Sequence, residues 1–119
     1  MPDPRDFLPL KPLDLQLLLA LTEEERHGYG LVQAVSDRTD GLITLEPGNL
    51  YRVVKRFLDD GLVVESAKRD APDAADGDQR RRYYRITALG ARVVAAELGR
   101  LEQLVRSKPA RDLVQRWAT

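Results

Sequence analysis

The sequence predicts a mainly α chain with a small two-stranded antiparallel wing and a long C-terminal helix, and three observations carry that expectation. Residues 47–60 read as a helix with one apolar face and one basic, amide-bearing face. Two short β-prone runs, residues 62–65 and 81–87, follow it and enclose a polar stretch. Beyond Thr87, the residues Val94, Leu98, Leu101 and Val105 keep the 4-3-4 apolar spacing of a helix–helix seam.

Residues 1–12 hold four of the seven prolines and read as an extended arm, with Pro12 at a first helical position. Residues 13–21 are almost wholly apolar, which predicts a short helix buried on more than one side. Thr22 and Glu25 have capping-box spacing, so they open the next helix or form an acidic link before it. A second helix is expected over residues 27–37, with Tyr29, Leu31, Val32 and Val35 on its apolar side. Residues 37–41 carry turn chemistry, and residues 42–45 form a short β-prone run. The third helix opens at Pro47, whose fixed φ suits a first turn, and closes at Gly61, which suits a left-handed cap. Leu50, Val54 and Phe57 supply its apolar stripe.

Helix, helix, connector, helix is helix-turn-helix order, with a longer linker than the tightest examples. In the wing, alternation puts Arg82, Tyr84 and Ile86 on one face and Arg81, Tyr83 and Arg85 on the other. Ile86 assigns the first set to the core, which leaves Arg81, Tyr83 and Arg85 facing outward. Pro72, Gly77 and four aspartates, Asp70, Asp73, Asp76 and Asp78, mark the stretch between the strands as a loop. Thr87 caps a long helix over residues 88–107, on which Leu89, Val93 and Leu104 lie off the seam and are expected to face the core. Gly90 and Gly99 weaken its propensity, so packing must hold it together. Lys108 and Pro109 stop it, and residues 110–118 form a terminal helix with Leu113, Val114 and Trp117 on one side. The expected division is a winged helix-turn-helix unit over residues 1–87 and a helical unit over 88–119.

Bulk composition narrows the function. A chain of 119 residues with 43% hydrophobic and 32% charged content has room for one modest core under a charged surface. The absence of cysteine excludes disulfides, thiolate nucleophiles and zinc-finger ligation. No apolar run reaches membrane-spanning length and the start lacks a signal-peptide shape, so no membrane partner and a cytoplasmic location are expected. Zero net charge argues at first against nucleic acid. Charge is segregated, however: Arg80, Arg81, Arg82 and Arg85 make residues 78–87 basic, and the wing-loop aspartates make residues 65–78 acidic.

The outer face of the third helix carries the chemistry of a recognition helix. Arg52, Lys55 and Arg56 are phosphate donors, Asn49 has an amide able to read a base edge, and Gly48 lets the backbone come close. Tyr51 lies at the edge of this face, where it meets a phosphate or packs beside the second helix. Arg81, Tyr83 and Arg85 would add contacts from the wing. The bland alternative is a surface helix whose cations are simply solvated.

Four segments in register resemble the PadR family of bacterial transcriptional regulators. They are His27-Gly28-Tyr29-Gly30, Pro47-Gly48-Asn49-Leu50-Tyr51, Asp60-Gly61-Leu62-Val63 and Arg82-Tyr83-Tyr84-Arg85-Ile86-Thr87, within roughly residues 10–95. The resemblance implies a winged helix-turn-helix homodimer that binds double-stranded DNA. It implies a repressor in most members, released in some by an aromatic or drug-like ligand near the dimer interface. The chain departs from the family's pattern at Glu46, where serine is frequent, at Arg52, where proline is frequent, and at Gly30, which is commonly acidic. The wing-loop aspartates oppose insertion of the wing tip beside phosphates.

The remaining conspicuous residues read as structural. His27, the only histidine, has no nucleophile or orienting partner in view and reads as a structural residue near a helix start. Contiguous Glu23, Glu24 and Glu25 do not converge on one point of a helix, which favours a solvated link over a metal site. Trp117 stacks on an effector or, as a lone C-terminal aromatic more often does, closes a core edge; it is also expected to add cover to a dimer joined through Val94, Leu98, Leu101 and Val105. No catalytic, cofactor or metal-ligand set is visible, which makes an enzyme the weakest class. A winged helix that binds an acidic protein partner instead of DNA is the rival reading.

Overall fold

The structure, a computed structural model, describes residues 2–66 and 82–118. The expectations placed on Arg81 and on the wing-loop aspartates fall outside the described residues. Among the described residues, five α-helices and three strands follow in the order α1 (Pro12–Glu23), β1 (Arg26–His27), α2 (Gly28–Arg38), α3 (Pro47–Asp60), β2 (Val63–Ser66), β3 (Tyr83–Ile86), α4 (Ala88–Arg106) and α5 (Lys108–Trp117). No helix among the described residues is long and apolar enough to cross a membrane.

The N-terminal arm is not extended throughout. Asp3 accepts the Arg5 N–H at 2.9 Å and opens a 3-10 turn, Pro4–Phe7, which packs against α4. Phe7, Leu8 and Leu10 then join the edge of the core. α1 is the central helix, with Leu17, Leu18 and Ala20 fully buried. Leu31 and Val35 of α2, Leu50, Val54 and Phe57 of α3, and Val93 and Val94 of α4 close around it.

The wing has three strands in the antiparallel order β1-β3-β2, one more than the sequence predicts. A two-residue strand carries no periodicity, so Arg26 and His27 read only as the approach to a helix. The extra strand corrects the placement of Tyr83. β3 is central, His27 stands directly across from Tyr83, and their rings meet edge to face at 5.2 Å. Tyr83 is therefore buried along with Tyr84, at 8% and 4% exposure, and does not face outward.

The β-prone run at residues 42–45 is a connector, not a strand. Thr39 Oγ1 donates to Val35 O at 2.8 Å and accepts the Ile43 N–H at 3.0 Å, which removes that N–H from any ladder. Asp40 and Gly41 turn the chain with φ of 53° and 78°. Thr22 does not open the next helix either; its hydroxyl donates back to Leu19 O at 2.6 Å inside α1. The N-cap of α2 is His27, whose Nδ1 accepts the Gly30 N–H at 3.1 Å.

Gly90 has the packing reason its low helix propensity demands. A Cβ there would lie 2.3 Å from Leu62 O, so only glycine lets the first turn of α4 seat on the start of β2. Farther along, Glu97 is a buried carboxylate, 1% exposed, that joins the arm to α4. Its Oε2 accepts the Leu10 N–H at 2.9 Å, and Arg100 donates to both of its oxygens.

The Arg100 guanidinium, with the Leu10 N–H adding to it against the cost of burial, holds the Glu97 carboxyl below its ordinary value of 4.5. A depressed carboxyl stabilises the fold fully above its unfolded pKa and loses that contribution as pH falls through the native value. Glu97→Gln should therefore be about 1–3 kcal/mol less stable at neutral pH, because the Leu10 N–H and the Arg100 guanidinium lose a charged acceptor. Urea unfolding from about pH 7 down to about pH 3 should show a steeper acid loss for the wild type than for the variant.

Candidate nucleic-acid interface

Three buried side chains, Leu50, Val54 and Phe57, fix which way α3 faces. Pro47 starts the helix, Glu46 caps it without a side-chain hydrogen bond, and Gly61 ends it with φ of 79°. The outer side then presents two rows, each at i, i+3, i+7 spacing: Asn49, Arg52 and Arg56 in one, and Gly48, Tyr51 and Lys55 in the other. Asn49 and Arg52 are exposed and have no side-chain partner among the described residues. Nothing lies within 4 Å of where a Cβ on Gly48 would sit, so the backbone there is open to close approach. Lys55 is exposed and pairs with Asp59 at 3.3 Å, a surface contact that a phosphate can displace.

Arg56 does not share this freedom. Its two terminal nitrogens donate to Asp14 of α1 at 2.9 and 3.2 Å, and Asp14 is a buried residue. The hydrogen bonds to Asp14 raise the pKa of the Arg56 guanidinium above its ordinary value. The expectation that Arg56 donates to a phosphate thus meets a guanidinium already engaged by Asp14. The same pair shows what the sequence reading passed over, a single carboxylate inside the apolar run Leu13-Asp14-Leu15. A lone charge among leucines in a helix signals a buried group with a partner elsewhere.

Of the two expectations for Tyr51, packing beside the second helix is the one the structure shows. Its hydroxyl lies 3.6 Å from the position of a Cβ on Gly28, so the ring reclines on the first turn of α2 while staying 58% exposed. Tyr29 is 73% exposed and stacks near His27, so it leaves the apolar side of α2 to Leu31, Val32 and Val35.

In the wing, Arg85 is exposed on the outer face, with Glu25 Oε2 4.0 Å from its Nε. Ser66 of β2 donates to the other oxygen of Glu25, which ties both wing strands to the link after α1. Glu23 Oε1 likewise accepts from Arg26 at 2.9 Å and Arg38 at 2.5 Å. Glu23 and Glu24 are exposed, as a solvated link requires, and the link is ion-paired as well.

The expected seam on α4 divides at Glu97. Val94 is buried in the core of its own chain and is not available to a partner. Leu98 and Val105 are 41% and 60% exposed, and Leu101 is half-buried. Leu104, expected to face the core, is 56% exposed because α4 has by then run past the end of the winged unit. On α5, Leu113, Val114 and Trp117 stand exposed at 62%, 60% and 71%, so Trp117 closes no core edge in this chain.

These placements separate two kinds of cation on α3. Arg56→Ala should lower stability by about 1–3 kcal/mol, because it leaves the buried Asp14 carboxylate without its donors. Arg52→Ala should leave thermal unfolding within about 0.5 kcal/mol of wild type, as expected of an exposed side chain with nothing to lose. Equal effects of the two variants in thermal denaturation would count against this distinction.

Comparison with known proteins places the chain in a family. Residues 17–96 match the transcriptional regulator PadR-like family. An uncharacterized protein from Lysinibacillus sphaericus is 36% identical over 78 residues, which span 66% of this chain and 67% of that protein. Among solved structures, RosR of H. salinarum superposes with a TM-score of 0.66 at 23% identity, covering 93% of this chain and 92% of that one. A transcriptional regulator from Clostridium thermocellum gives a TM-score of 0.63 at 20% identity, covering 97% and 93%. The winged fold, the order of its elements and the matched segment agree: this chain belongs to the PadR-like family of transcriptional regulators and is not an enzyme.

Proposed function

We propose that the chain acts as a homodimeric repressor on an inverted-repeat operator in duplex DNA. Residues 1–87 form the DNA-binding unit and residues 88–119 join two protomers. The observation that carries the reading is the outer face of α3, where Gly48, Asn49, Arg52 and Lys55 stand exposed on a helix held rigidly by its opposite side. Arginine and lysine there meet phosphates, the Asn49 amide reads a base edge, and Tyr51 adds a hydroxyl at the rim. Arg85 contributes from the wing. Such a protein works in the cytoplasm, where the chromosome is.

The dimer reading rests on Leu98, Leu101, Leu104 and Val105 of α4 together with Leu113, Val114 and Trp117 of α5. Exposed apolar residues repeated along both helices of the arm support an interaction surface there. A two-fold partner doubles a small contact set and sets two recognition helices about one helical turn, ~10 bp, apart. A small aromatic or drug-like effector that competes for this apolar arm would change the spacing and release the DNA. The rival reading, a winged helix that binds an acidic protein, predicts no salt-sensitive shift of duplex DNA in a gel.

Binding-site selection from random duplex should return an inverted repeat, and Asn49→Ala should relax preference at one position per half-site by roughly 1–3 kcal/mol. Leu101→Asp with Leu104→Asp should give folded monomers in sedimentation, since each leucine covered by a partner contributes roughly 1.5–3 kcal/mol. Binding to the selected repeat should fall with dimerisation. Val94→Ala should instead lower the stability of the protomer. A double mutant that stays dimeric and keeps its operator would place the partner surface elsewhere.

A further inference from the structure

Arg56 leaves α3 in the same row as Asn49 and Arg52, yet its head group is turned out of that row toward α1. The partner that turns it is well built. Asp14 has a side chain only 5% exposed, offers both oxygens to the guanidinium, and sits in the first turn of α1, where the helix dipole favours a carboxylate. The Arg56 side chain itself is 46% exposed, and its guanidinium carbon lies 5.6 Å from the centre of the Phe57 ring. The arginine is therefore at the boundary between the groove face and the core, close enough to the surface to serve a phosphate if it were released. A phosphate contact from that position would add affinity for any duplex and carry no sequence information.

We propose that Asp14 is a specificity-determining residue, which withholds the Arg56 cation from the DNA backbone and so keeps sequence-independent binding weak beside base reading through Asn49. It acts through Arg56 and is a positioning residue. The inference rests on the reading of α3 as the recognition helix. It also gives the pair a role beyond joining α1 to α3, because a salt bridge whose only task was cohesion would not need to take a cation from the groove-facing row.

The test is a salt titration of binding to a fluorescein-labelled duplex of random sequence, with the full chain as wild type, Asp14→Ala, Arg56→Ala and the double mutant. Asp14→Ala should bind random duplex more tightly than wild type at low salt. Its log K against log salt slope should steepen by about 0.9 for each phosphate that Arg56 newly reaches. Between about 50 and about 200 mM salt its advantage should then shrink roughly 3.5-fold per phosphate. Arg56→Ala should keep the wild-type slope, and the double mutant should return to it. A purely structural role would weaken binding at every salt concentration without steepening the slope. Should Asp14→Ala fail to fold, Asp14→Asn keeps the shape, removes the charge and is expected to shift the slope in the same direction. An unchanged slope in a folded Asp14 variant overturns the proposal, as does an Arg56→Ala variant whose slope is flatter than wild type. A wild type with no salt-dependent DNA binding overturns the recognition-helix reading as well, whereas normal wild-type binding with unmoved variants overturns this proposal alone.

Discussion

The side chain of Thr87 sits where the recognition-like helix ends, the wing begins and the long helix starts. Its hydroxyl donates to Gly61 O at 2.7 Å and accepts the Gly90 N–H at 3.0 Å, while its own N–H donates to Leu62 O at 3.0 Å. One residue thus satisfies the last carbonyl after α3, the first carbonyl before β2 and a free amide of α4. Gly61 in its left-handed conformation and Gly90 with no side chain make the approach possible. The direction in which α4 leaves the core, relative to α3, is set at this junction.

Much of this was legible in residue type and spacing. Pro47 and Gly61 bracket α3, and Pro12 and Thr87 open their helices as capping rules require. The buried stripe of α3 is the stripe the periodicity marks. What escaped was long-range pairing. Nothing local to Arg26 and His27 announces that β3 will lie beside them, and without that strand Tyr83 reads as an outward residue. Nothing local to Arg56 announces Asp14, 42 positions away. Val94 fits a seam by spacing, but where the core ends along α4 depends on the length of the N-terminal arm folded against it. The Glu97–Arg100 pair was within reach, being i, i+3 on one helix; its burial was not, since that depends on Leu10.

The zero net charge of the chain takes on a different meaning once the pairs are placed. Arg26 and Arg38 brace Glu23, Arg100 holds Glu97 and Arg56 holds Asp14. These cations are engaged inside the protomer, and Arg52 and Lys55 stand on the outer side of α3. A neutral protein can still carry a local basic face, because the field near a surface follows the nearest charges rather than the total.

The far end of the molecule follows from how little α5 buries. No residue of α5 is buried, and the last two turns of α4 are equally bare. Their helical state is left to local terms such as the Glu102–Arg106 and Lys108–Asp112 pairs, each worth a few tenths of a kcal/mol. Among the described residues, an uncovered arm of this kind has little packing to resist local opening. Ordering the arm and covering its apolar face are then a single equilibrium. Whatever covers that face binds with its intrinsic affinity multiplied by the fraction of time the arm is ordered. A substitution that merely strengthened the helix, with no contact to the occupant, would tighten that association by the factor by which it raised the ordered fraction.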